Sequence, residues 1–303
     1  MSSLVVEWSG ARQIPLPDKP YREVLQSDGV VWASFYRCHQ GFLLVFPGLV
    51  DFEISGDGKR IVVYPHSNVS RATAETLLIT QAQPLALSKQ GLLILHGSAV
   101  DVGGSVIAFV GASGMGKSTL ATGFAQNGFP FLTDDSIHII EKPNGYVVMP
   151  SHESIRLWQD SHRALLDHTV VLAPQPEHTT KVRVLSNASL PHCDTARPLK
   201  VVYFLTKDIS DGTVIAPHAP AASLLTFIQN SFLLDNQLPE DYGAQFEMLS
   251  DLVLQVNCFT LSYPRNYDLL NELICHVVEH AQTISHESLS KARLAESSMP
   301  TGN

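Results

Sequence analysis

The chain has 303 residues, 45% hydrophobic and 16% charged, with a formal net charge of −9. So apolar a chain is not intrinsically disordered, and at about 150 residues per domain it holds two domains, or one large domain with a subdomain attached. With 20 Lys+Arg against 29 Asp+Glu and no basic block, neither nucleic-acid binding nor docking on an anionic membrane is expected.

The stretch from Met1 to Trp8 has no basic segment followed by an apolar one, so no signal peptide is expected. Pro15, Pro17 and Pro20 predict an irregular start up to about residue 25. Between Val30 and Pro65, short β-branched and aromatic runs are separated by turns such as Pro47-Gly48, which predicts a small antiparallel sheet. Ala74, Leu77, Leu78, Gln81 and Leu85 recur at helical steps within Ser70–Gln90, with a kink expected at Pro84 and a stop at Gly91. Apolar runs then follow at 92–95, 98–100 and 105–110, as in strands covered on both faces of a sheet. A helix is predicted from Ser118 to Gln126, a short strand over 129–133, and a last helix over 267–283. The resulting organisation is α/β: a β-rich segment with its linking helix over 1–90, a core over 91–284, and a frayed polar tail over 285–303. The longest uncharged stretch, 212–234, is broken by Pro217 and Pro220 and makes a poor membrane span. Cys38, Cys193, Cys258 and Cys275 form no C-x-x-C pair and read as reduced thiols of a cytoplasmic protein.

The strongest motif is Gly111-Ala112-Ser113-Gly114-Met115-Gly116-Lys117-Ser118, which fits G-x-x-x-x-G-K-[ST] between a predicted strand and a predicted helix. Its glycines let successive N–H groups face inward around an anion, and the helix N-terminus adds positive potential. Lys117 is expected to reach the β- and γ-phosphates of ATP, and Ser118 to ligate Mg²⁺, with Thr119 continuing the loop. Asp134 and Asp135 end the next strand, where ligands of an open parallel sheet sit. Adjacent side chains on a strand point to opposite faces. One carboxylate is therefore available to the metal and the other to an acceptor hydroxyl. His96 precedes a predicted hairpin that turns at Gly103-Gly104 and leads back to the loop.

His96-Gly-Ser-Ala-Val100, the loop and Asp134-Asp135, in that order, resemble the HPr kinase/phosphorylase family, whose core is related to phosphoenolpyruvate carboxykinase. The resemblance implies Asp135 as proton acceptor from a substrate serine, Lys117 as phosphate ligand, Ser118 as magnesium ligand and His96 as a catalytic-site residue; Asp134 is the carboxylate expected beside Ser118 at the metal. Phe109–Leu120, Gly128–Asp135, Ile155-Arg-Leu-Trp158 and Tyr263-Pro-Arg-Asn-Tyr-Asp268 are similar to stand-alone HPr-kinase-like proteins of lasso-peptide biosynthesis. What this implies is transfer of a γ-phosphoryl group to a serine of a peptide or protein, such as a lasso precursor, with a homo-oligomer left open. The bifunctional enzymes carry Glu where this chain has Thr119, and their E-I-R-G segment is replaced by Glu153-Ser-Ile-Arg-Leu, which weakens the expectation of reverse phosphorolysis. Glu153 is a further metal-ligand candidate, and Arg156 and Lys181 are candidates for neutralising phosphate charge.

Two other readings compete. Small-molecule kinases of shikimate or gluconate type also carry a P-loop helix followed by an acidic strand end, but they begin almost at the loop. A non-catalytic nucleotide switch or transporter ATPase would show L-S-G-G-Q or N-K-x-D, and neither is present. His276 and His280 have helical spacing but lack the glutamate of H-E-x-x-H.

Overall fold

The computed structural model describes residues 4–297 apart from 14, 168–169, 208–209 and 236, with side chains as far as Ile284. Its first sheet contains β1 (Val5–Trp8), β2 (Arg22–Leu25), β3 (Val31–Cys38), β4 (Gly41–Phe46), β5 (Val50–Ser55) and β6 (Arg60–Pro65), in the order β1-β6-β5-β4-β3-β2. Strands β3 to β6 are the predicted runs and pair as successive antiparallel neighbours. The segment expected to be irregular supplies two more strands: β2 pairs antiparallel with β3, and β1 pairs parallel with β6. Each is four residues long, too short for its own periodicity to declare it. Pairing with an already formed neighbour is what makes them strands.

The buried face of this sheet, including Phe35, Phe46, Phe52, Ile54 and Ile61, packs on α1 (Arg71–Leu77) and α2 (Gln83–Lys89). A π-helical turn at Leu78–Ala82 joins the two helices. Pro84 lies in the first turn of α2. A proline ring collides with the carbonyl four residues back in a regular α-helix, and the wider π-turn relieves that collision.

After β7 (Leu93–Leu95), the hairpin β8 (Gly97–Val102) and β9 (Ser105–Val110) leads through the glycine-rich loop into α3 (Lys117–Gln126). Then come β10 (Phe131–Thr133), β11 (Ile137–Lys142), β12 (Gly145–Met149), β13 (Ser154–Leu157), α4 (Gln159–Leu165), β14 (Val182–Leu185), β15 (Arg197–Leu205) and β16 (Val214–Pro217). Helices α5 (Pro220–Gln229) and α6 (Pro239–Gln255), strand β17 (Asn257–Ser262) and α7 (Leu270–Ser297) complete the chain. The large sheet runs β10-β8-β9-β15-β12-β11-β7, with β17 and β16 branching from β15. It is mixed rather than parallel: β15 pairs in parallel with β9 and β17, and the other pairings are antiparallel. Helices α3 and α7 cover one face, α5 and α6 the other, which is why its strands read as continuous apolar runs. The molecule is thus mixed α/β. Helix α7 extends beyond the expected end at 283 to Ser297, and 298–303 of the expected tail lie outside the described residues. Among the described residues no helix is long and apolar enough to cross a membrane.

Phe109 is fully buried between Phe124, at 5.4 Å between ring centroids, and Tyr203, at 6.1 Å. Phe109→Ala leaves a cavity beneath the glycine-rich loop and is expected to cost about 3–5 kcal/mol, read as a lower guanidinium midpoint.

Candidate functional site

The chain leaves β9 at Val110 and enters α3 at Lys117. In between, Gly114 (φ +82°) and Gly116 (φ +89°) take left-handed conformations that favour glycine. Gly116 caps α3 and offers no side-chain acceptor, so the first-turn N–H groups have no cap and point outward at the positive end of the helix. The Lys117 ammonium bends back over the loop, donating to the Gly111 carbonyl at 2.6 Å and the Ala112 carbonyl at 2.9 Å. Burial pushes its pKa down to about 8, against the pull of Asp134 and Asp135.

A clasp from beyond β17 holds the loop tip. Arg265 donates from Nη1 to the Met115 carbonyl at 2.5 Å and from Nη2 to the Thr206 carbonyl at 2.9 Å. The Tyr263 hydroxyl also donates to Met115 O, at 3.3 Å, and the guanidinium lies 4.2 Å from the Tyr263 ring centroid. A Cβ on Gly116 would stand 2.5 Å from Tyr263 Oη and 2.9 Å from Arg265 Nη1.

Opposite the loop, Asp134 Oδ1 accepts from Ser98 Oγ at 2.5 Å and Ser118 Oγ at 2.9 Å, and Oδ2 accepts from the Arg156 amide at 2.9 Å. Burial, then the charge of Asp135, raise the Asp134 pKa, with the Arg156 amide, the Ser98 hydroxyl and the charge of Lys181 opposing. Asp135 is the one non-glycine with positive φ (+69°) among the described residues. Backbone strain of this kind gathers at functional sites. The Asp135 carbonyl accepts from His96 Nδ1 at 2.9 Å and from the Gly97 amide at 3.4 Å, while its carboxylate meets Arg156 Nη1 at 3.0 Å. Burial would raise this carboxyl, but the charges of Arg156 and Lys181 and the hydrogen bond from Arg156 hold it below the usual range. Gly97 is needed for this approach, because a Cβ there would meet Ile137 Cδ1 at 2.5 Å and Phe109 O at 2.6 Å. Burial, then the charge of Lys117, push His96 down to about 4. Its ring is therefore neutral, with the Nδ1 proton assigned from the contact to Asp135.

These groups surround a cleft of ≈340 Å³. Of the residues singled out in the sequence, His96, Ser113, Gly114, Gly116, Lys117, Ser118, Thr119, Asp135, Arg156 and Lys181 line it. Gly111, Ala112 and Met115 face a neighbouring cleft, and Asp134 a small cavity behind. Glu153 is exposed and lines none of these cavities. It precedes β13, where its carbonyl accepts from the Ser186 amide, so as a metal-ligand candidate it is set aside. Residues the sequence did not assign complete the cleft: Trp158 with Lys181 Nζ 5.1 Å from its ring centroid, and Ser161, which links Thr119 Oγ1 (3.2 Å) to Tyr267 Oη (3.0 Å). Lys117, Arg156, Lys181 and Arg265 give the cleft a basic lining within an acidic chain.

Ser118 Oγ and Asp134 Oδ1, in mutual contact beside the α3 N-terminus, are hard oxygen donors that fit a magnesium ion completed by water and phosphate. Among the described residues no group of three or more His, Cys, Asp or Glu could hold a metal alone. His280 is instead bonded through Nδ1 to the Tyr203 hydroxyl at 2.7 Å.

No family model matches the chain, and no curated protein matches it. The solved structure of the Hpr(Ser) kinase/phosphatase from Coxiella burnetii aligns with 63% of this chain and 98% of its own, at 12% identity and a TM-score of 0.35. A likeness of that size carries no argument about fold or activity.

Two outcomes follow from this geometry. Gly116→Ala, strained at φ +89° and colliding with the clasp, is expected to weaken tripolyphosphate binding about tenfold or more by calorimetry while the chain stays folded. His96, His138 and His178 are each pushed down to about 4, chiefly by burial. The unfolded chain protonates them near 6.5 while the folded chain does not, so unfolding takes up protons in that window. Their contribution is unchanged above about pH 6.5 and turns against folding as pH falls toward 4. His138→Gln is expected to flatten that fall in urea titrations.

Proposed function

We propose that the chain is an ATP-dependent kinase that transfers the γ-phosphoryl group to a serine hydroxyl of a peptide or protein. The observation that carries the reading is the convergence, at one basic cleft, of the uncapped α3 N-terminus, Lys117 and Asp135, with the differently tuned Asp134 held behind it on Ser118. Phosphoryl transfer asks mainly for positioning and charge neutralisation. The loop amides and Lys117 bind the β- and γ-phosphates, and Arg156, Lys181 and Arg265 offset their charge. Trp158, Pro264 and Tyr267 at the mouth give a base apolar surface to rest on.

Ser118 and Asp134 would hold Mg²⁺, which supplies positive charge beside the phosphates when bound. Asp135, kept ionised by its cationic neighbours, takes the proton of the acceptor hydroxyl. The serine oxygen bonds to the γ-phosphorus, the bond to the bridging oxygen breaks, and ADP leaves with that electron pair. His96 holds the Asp135 backbone through its Nδ1 contact. The resemblance of Phe109–Leu120, Gly128–Asp135 and Tyr263–Asp268 to lasso-pathway proteins supports a lasso precursor as acceptor. In this reading 91–284 is the kinase core, 1–90 its β-rich subdomain, and the protein works in the cytoplasm.

With γ-labelled ATP, Asp135→Asn is expected to lower label transfer about 10²–10⁴-fold while leaving nucleotide affinity nearly intact. Lys117→Ala loses transfer and nucleotide affinity together. Full transfer by the Asp135→Asn chain removes that residue as the base.

A further inference from the structure

A second cavity, of ≈740 Å³, lies on the far side of the glycine-rich loop. It shares His96 and Ser113 with the first cleft, so the two meet there. Its lining joins the loop residues Gly111, Ala112, Ser113 and Met115 to parts of the chain that the first cleft does not use: Val24 on β2, Gln81 on the π-turn, Gln229 and Asn230 at the end of α5, and Phe232.

We propose that this second cleft seats an extended peptide segment and delivers its serine to the first cleft at His96 and Ser113. The assignment rests on the phosphotransfer reading above and adds where the acceptor lies and by what chemistry it is held. The uncapped α3 N-terminus and Lys117 open on the first cleft, so nucleotide fills that side and the acceptor must enter from the other. Gln81 is half-buried and Gln229 exposed, and neither carboxamide makes a hydrogen bond among the described residues. A carboxamide offers a donor and an acceptor side by side, which matches a peptide group.

Among the described residues Lys207 is the one charged side chain of the lining, which favours a neutral or acidic stretch. Val24 belongs to the terminal strand of the first sheet, whose only described strand partner is β3. An edge strand of that kind can take an added peptide through main-chain hydrogen bonds. A small polyol, by contrast, needs polar groups converging on it from several sides. Here the carboxamides stand on separate elements, and Met115, Leu205 and Phe232 share the lining with them.

The test uses the full chain and a degenerate library of serine-containing peptides. With p-benzoylphenylalanine in place of Val24, photolysis without nucleotide is expected to cross-link library peptides; the same substitution at exposed Val214 on β16 is expected to give none. Gln81→Ala combined with Gln229→Ala is expected to raise the peptide KM about tenfold with kcat retained, and to leave the affinity for a fluorescent ADP analogue unchanged. Absence of cross-linking at position 24, or an unaltered peptide KM in the double variant, overturns the assignment. Label passing only to small polyols overturns the peptide seat and spares the phosphotransfer reading. Cross-linking without any nucleotide binding does the reverse.

Discussion

One carboxylate, Asp134, ties the site together. It receives hydroxyls from Ser98 on β8 and Ser118 on α3, and the amide of Arg156 on β13. Three elements far apart in the chain are thereby fixed to one point within hydrogen-bond distance. Enclosing a carboxylate is costly unless its lone pairs are filled, and here the donors that fill them also position α3, whose uncapped N-terminus opens on the cleft. The same group is raised by burial and by the charge beside it.

The neighbouring acid has the opposite character. Asp135 is turned into the left-handed region, its carbonyl held by His96 and Gly97 and its carboxylate by Arg156. Two adjacent carboxylates in similar surroundings would compete to lose one charge. Sending their side chains to different partners moves their titrations apart, one raised and the other lowered. The loop opposite is held in a comparable way, by Arg265 and Tyr263 gripping the Met115 carbonyl, so both sides of the cleft are fixed by contacts from other parts of the chain.

The first sheet also has a place in this arrangement. Its helices reach the core through the π-turn, which brings Thr80 to the cavity behind Asp134 and Asp135 and Gln81 to the second cleft. A π-turn shifts the helical phase by one residue, and such turns are frequent at functional sites. The sheet's terminal strand supplies Val24 to the same cleft, so both parts of the molecule border the space beside the loop.

The amino-acid order alone determined what local stereochemistry demands. Glycines at 114 and 116 ahead of Lys117, the β3 to β6 runs and the Gly103-Gly104 hairpin were legible because left-handed turns and alternating apolar residues leave short-range marks. His96, Ser118 and Asp135 were legible as candidates, and their common cleft followed from strand–loop–helix order. Tertiary structure decided the rest. Strands β1 and β2 exist because of partners elsewhere, the large sheet is mixed, and Glu153 stays in solvent while Ser98 and Arg265 reach the site. A hydroxyl or a guanidinium carries no mark of its partner until distant segments pack, so sequence spacing could not show which ones would meet.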